Sequence, residues 1–147
     1  MILEGDKTFL KSNIIDALDS VIDSDDPQSK VVISSIENII YNIAQLEYDT
    51  WGPQVAHQAI QQRLVSNEEK YQMSALRALK SIAQAFEFEL DKDRKPLNEL
   101  VELFFPLLEQ ILAKEDLNES PCYVQMMILI CKIFFICNQV SLALLHS

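Results

Sequence analysis

The residues of this chain that could carry out chemistry are few and poorly spaced for it. Its three cysteines, Cys122, Cys131 and Cys137, share one apolar segment and form no C-x-x-C pair. Cys131 and Cys137 do not stand one helical turn apart, as neighbouring metal ligands would. An odd count in such a setting points to buried thiols in a reducing compartment. His57 lies among Gln54, Gln58, Gln61 and Gln62, with no acid near it in sequence, and is expected at the surface. Asp25 and Asp26 sit in a turn, where solvated capping is their expected role. There is no Gly-rich phosphate loop, no H-E-x-x-H and no nucleophile elbow. The expectation is a protein that is not an enzyme and needs no metal or cofactor.

Composition points to what such a chain does instead. Apolar residues make up 49% and charged residues 23% of 147, a globular balance with one domain as the prior. Two glycines and five prolines are few for a sheet protein, so the class is expected to be all-α. A net charge of −10 disfavours phosphate backbones and leaves basic protein partners possible. The most hydrophobic stretch, from Cys122 to Cys137, contains Gln125 and Lys132. It is short for a membrane span and fits a buried core helix.

The segment from Ser66 to Phe88 organises the rest. Ser66 and Glu69 have capping-box spacing. Tyr71, Ala75, Leu76, Leu79, Ile82, Ala83 and Phe86 recur at three- and four-residue intervals, one apolar helix face. Lys70, Arg77, Lys80, Ser81 and Gln84 fall on the other side, as a solvated face or as a contact strip for an acidic partner. Before it, a first helix is expected from Lys7 to about Asp19, capped by Asp6, with Phe9, Leu10, Ile14, Ile15 and Leu18 inward. After the break at Asp23–Pro27, a second should run from about Gln28 to Glu47. Val32, Ile33, Ile36, Ile39, Ile40, Ile43 and Leu46 form its stripe, and Lys30, Ser34, Asn38, Tyr41 and Gln45 its polar face. The 49–53 stretch should be a break and Pro53 to Leu64 a third helix. A fifth is expected over Pro96 to Ala113, kinked by Pro106. A sixth, capped by Ser120, should run from Pro121 to about Asn138 with apolar residues on nearly every side.

First helices of successive pairs begin near Lys7, Trp51 and Lys95, a period of about 44 residues that matches HEAT or armadillo repeats. The fold expected is an α-solenoid of about three helix pairs, over 6–47, 51–88 and 95–138. Residues 139–147 would start a truncated next element, and the whole would be a fragment of a longer solenoid. Particular residues go further. The run DKTFLKSNII (Asp6 to Ile15), the Tyr48-Asp49…Trp51 turn, and YQMSALRALKSIAQAFEFELDKDRKPLNELVELFFPLLEQIL (Tyr71 to Leu112) resemble the amino-terminal HEAT repeats of the importin-β (karyopherin-β) superfamily. Within it the chain is most similar to the importin seven/eight type. The family's Asp-Tyr-Pro-x-x-Trp turn is shortened here and lacks its proline.

The resemblance implies a nuclear transport receptor that shuttles between nucleus and cytoplasm through the nuclear envelope. It would bind cargo proteins, Phe-Gly nucleoporins and the GTP form of the small GTPase Ran, and neither nucleic acid nor membrane. It also implies that Ran would meet the second and fourth helices, at Lys30, Ser34, Asn38, Tyr41, Gln45, Lys70, Arg77, Lys80 and Gln84. Apolar slots around Ile60 and Phe104 would take Phe-Gly segments. An export receptor of the same superfamily, or a HEAT scaffold or adaptor outside transport, is the alternative. The last helix is expected to expose apolar surface through which the fragment self-associates.

Overall fold

A computed structural model describes residues 4–88 and 94–146, with side chains over 5–88 and 95–138. The described residues form helices and turns and no strand: α1 (Glu4–Val21), α2 (Gln28–Trp51), a π-helical turn (Gly52–Ala56), α3 (His57–Leu64), α4 (Glu69–Ala85), α5 (Arg94–Leu112), a 3₁₀ turn (Leu117–Glu119) and α6 (Tyr123–His146). The all-α class is as expected from the scarcity of turn formers.

The amphipathic stripes account for most of the core. Ile14, Ile15 and Leu18 of α1, Ile33, Ile36, Ile40 and Ile43 of α2, and Leu97, Leu100, Phe104, Leu108 and Ile111 of α5 are buried. Helix ends and stripe edges depart from expectation. α1 already includes Asp6, which is therefore not its cap, and Phe9 points outward at 72% exposure. Leu10 and Val32 are exposed too, as is Leu46 at 82%, because no helix among the described residues covers those flanks.

Where a break was expected at 49–53, the chain stays helical. Glu47 alone leaves helical geometry (φ −141°, ψ 24°) and turns the chain. Pro53 has no N–H, and its ring would clash with the carbonyl four residues earlier. The wider turn that follows, closed by the His57 N–H on the Gly52 carbonyl, accommodates it. α1 is fastened to this elbow and to α3 by three links. Trp51 Nε1 donates to the Lys11 carbonyl (2.8 Å), Lys11 pairs with Glu47 (3.1 Å), and Arg63 reaches Asp16 and Asp19, the latter at 2.6 Å. Burial works against the Arg63 charge, but its bonds to Asp19 and Asp16 win and raise its pKa.

α4 is the hub, packed by α1, α2, α3, α5 and α6. Five neighbours leave few open sides, so Met73, Ser74, Ala78, Ser81 and Ala85 are buried along with the expected stripe. Its small residues let the neighbouring backbones come close. The capping box does not form. Glu68 is the N-cap, and Ser66 Oγ instead accepts from the Glu68 N–H (3.1 Å), a local turn one step outside the helix. The helix ends at Ala85, short of Phe88.

α5 passes through Pro106 as one helix. α6 begins at Tyr123 after Ser120 Oγ accepts from the Cys122 N–H (3.0 Å). It continues to His146 without a break at Asn138, so 139–146 belong to α6 and are not a separate element. Its inner face, Met126, Leu129, Ile130, Ile133, Ile136 and Cys137, is buried. Its outer face is not.

Candidate functional site

α2 and α4 lie side by side, and their facing flanks enclose a groove of about 370 Å³. Ser34, Asn38 and Tyr41 line it from α2; Lys80, Ser81 and Gln84 line it from α4. Five of the nine residues expected on a partner face therefore meet around one depression. Gln45 supports its rim, donating through Nε2 to Tyr41 Oη (2.9 Å). Lys30, Lys70 and Arg77 do not line it. Lys70 lies instead with its ammonium 5.2 Å from the Tyr71 ring centre.

The strip on α4 is not the open solvated or basic face that helical geometry suggested. Glu37 of α2 sits between two of its three cations, with Arg77 Nη1 3.4 Å from Oε1 and Lys80 Nζ 3.3 Å from Oε2. Oε2 lies within ion-pair distance of Lys80 but outside hydrogen-bonding geometry, and Arg77 Nε has no hydrogen-bond partner. Ser81 is buried, its hydroxyl turned back to the Arg77 carbonyl (3.0 Å). Glu37 and Glu87 both line the groove with Lys80, so its chemistry is mixed polar, with charges of both signs. Sequence reading missed Glu37. The signal was present: Glu37 stands three residues after Ser34 and four before Tyr41, and so shares their face of α2.

A second polar cluster joins three helices. Tyr48 Oη donates to Glu99 Oε2 (2.9 Å) and lies 2.8 Å from His57 Nε2. With the phenolic proton committed to Glu99, the imidazole must donate to Tyr48 through Nε2. His57 is thus a half-buried link between α2, α3 and α5 rather than the surface histidine expected. Its ring meets Tyr48 and Phe104 edge-on, with centroids at 5.6 and 5.8 Å. Burial lowers the His57 pKa against the pull of Glu99. Burial, then the Glu99 bond and charge, raise that of Tyr48. A phenol so held does not ionise near neutrality. The cluster is built to hold helices together. Glu99 is too distant in sequence for local pattern to reveal it.

The remaining sequence candidates fall in different surroundings. Ile60 and Phe104 are fully buried, so core side chains fill the place where apolar slots were expected. Cys137 is buried as expected, Cys122 only partly, and Cys131 is exposed. Burial and the nearby Glu69 raise the Cys122 pKa. Among the described residues no three His, Cys, Asp or Glu side chains are grouped to hold a metal ion, and no helix is long and apolar enough to cross a membrane. Comparison with protein-family models, with curated proteins and with solved structures produced no match to the chain.

Proposed function

We propose that the chain is part of a HEAT-type α-solenoid that binds a protein partner along α2 and α4, in the manner of the importin-β-type transport receptors it resembles. On this reading the partner is Ran in its GTP form. Cargo proteins and Phe-Gly nucleoporins bind elsewhere on the receptor, which shuttles between nucleus and cytoplasm. One observation carries the assignment: on the two helices that the resemblance picks out, five of the nine polar residues read from helical geometry line a single groove. The solenoid part draws on the packing order. α1 packs on α2, α3 on α4 and α5 on α6, while α2, α4 and α6 follow one another side by side. That is the neighbour pattern of stacked helix pairs.

The test must leave the Glu37 pair intact. Arg77→Glu or Lys80→Glu would set a second carboxylate against Glu37 and disturb the α2–α4 packing, so lost binding would have two causes. Ser34 and Asn38 are exposed and free of that pair. The protein is titrated with Ran carrying a non-hydrolysable GTP analogue or GDP, alongside S34W/N38W, which fills the groove with bulk and adds no charge beside Glu37. Expected are selectivity for the GTP form and at least about tenfold weaker binding by the double variant, with an unchanged circular dichroism spectrum. Binding of neither nucleotide form defeats the transport reading and leaves a HEAT scaffold outside transport. Where the GTP form binds, cargo behaviour separates import from export.

A further inference from the structure

The groove between α2 and α4 carries one charge that no described residue answers. Among the described residues two acids and one base line it: Glu37, Glu87 and Lys80. Glu37 is taken by Lys80 and Arg77. Glu87 makes no side-chain hydrogen bond or ion pair with any described residue. It stands two residues past the end of α4, where the last carbonyls of the helix leave partial negative charge, and the last turn of α4 holds no base to offset it. Phe88 lines the groove beside it with its side chain 80% exposed. Tyr41 lines the groove from α2, its hydroxyl fixed by the bond from Gln45 (2.9 Å). From these features we infer that this end of the groove is a subsite for an arginine side chain of the bound protein, with Glu87 as its counter-ion and Phe88 as its stacking face. The inference rests on the reading of that groove as a protein-binding site.

Charge selects a cation here. An incoming carboxylate would meet both Glu87 and the negative end of α4, while the one base on the groove wall, Lys80, is already held 3.3 Å from Glu37. The strip expected to meet an acidic partner therefore meets a basic group at this end, because Glu37 occupies two of the α4 cations. The walls select a guanidinium over an ammonium. A guanidinium is flat, stacks on an aromatic face and presents five N–H donors. Asn38 from α2 and Gln84 from α4 line the groove with amide oxygens able to accept them, and Phe88 supplies the open ring. The alkyl stem of the arginine lies along Tyr41, as long basic side chains do on apolar surface.

The probe is N-acetyl-arginine amide, titrated into isotope-labelled protein while amide chemical shifts are followed. Saturable binding with a Kd of about 1–10 mM is expected, the share of a single side chain in an interface. The shifts should centre on Asn38, Tyr41, Gln84 and Phe88. N-acetyl-citrulline amide has the same shape without the charge and should bind at least about tenfold more weakly; N-acetyl-lysine amide should bind about threefold more weakly. E87Q and F88A lie outside the core, so each should weaken arginine binding at least about threefold and leave the rest of the spectrum in place. Absence of saturation by about 100 mM overturns the inference. So does citrulline or lysine binding as tightly as arginine, or arginine binding unchanged in E87Q or in F88A. A parallel titration with Ran separates this inference from the reading beneath it. Arginine failing where the GTP form of Ran binds removes the subsite alone, and arginine binding where neither form of Ran binds keeps the subsite and removes the transport reading.

Discussion

Removing a single oxygen, in Tyr48→Phe, isolates what the Tyr48–His57–Glu99 cluster contributes. The phenol ring would keep its edge-on contacts with Phe86 and His57, at centroid distances of 5.3 and 5.6 Å, so packing barely changes. Two hydrogen bonds disappear. The one to the Glu99 carboxylate is charge-assisted and worth about 1.5–3 kcal/mol, and the one to His57 about 0.5–1.5 kcal/mol. Both acceptor and donor are only half-buried, so water recovers part of the sum, and about 2 kcal/mol is the expected loss. For a chain of 147 residues that lowers Tm by about 4–8 °C. Urea unfolding at pH 8 reads it through Trp51, which is buried against α1. The midpoint should fall with the slope m unchanged. Paired with Glu99→Gln, the two losses should couple by more than about 0.5 kcal/mol. A loss below about 0.5 kcal/mol, or strict additivity with Glu99→Gln, would refute the view that this cluster ties α2 to α3 and α5.

Two further outcomes follow from the same region. A Cβ on Gly52 would stand 2.8 Å from Tyr48 Cε2, on a ring whose hydroxyl is tied at two points. Gly52→Ala should therefore cost about 1–3 kcal/mol in denaturant midpoints. It should cost less in a Tyr48→Phe background, where the ring can yield; an equal cost in both would remove the tether from the explanation. Burial holds the His57 pKa below its ordinary value. As pH falls through about 6.5 the unfolded chain takes up that proton before the folded one does, so stability drops in that window and levels off once the folded protein protonates too. Above that window His57 contributes no slope. The stability margin of wild type over His57→Gln should shrink between pH 7.5 and 5.5, and a margin that stays level or grows would contradict the burial argument.

Local pattern carried much of this molecule. Three-and-four spacing placed six helices and most of their buried positions, because an amphipathic stripe needs only a core on one side, wherever that core comes from. Proline, Asp and Ser clusters marked the break before α2 for equally local reasons. Ends were harder. Whether Ser66 caps a helix or closes a turn outside it, and whether Pro53 breaks a helix or is absorbed by a π turn, depends on differences of about 1 kcal/mol that neighbouring packing overrides.

Tertiary structure alone decided what the polar residues do. Lys80 and Arg77 read as an open basic strip until α2 brought Glu37 against them. His57 read as a surface residue until α5 brought Glu99 to Tyr48. The sixth helix, apolar on nearly every side, was expected to leave some of that surface open, and packing by α4 and α5 decided which: Val124, Ile128 and Phe135 stay outside. A hydrophobic stripe announces its own burial because burial rewards it against any apolar neighbour. A charge or a hydroxyl is free or paired according to one specific partner, and here those partners were brought by helices distant in the chain.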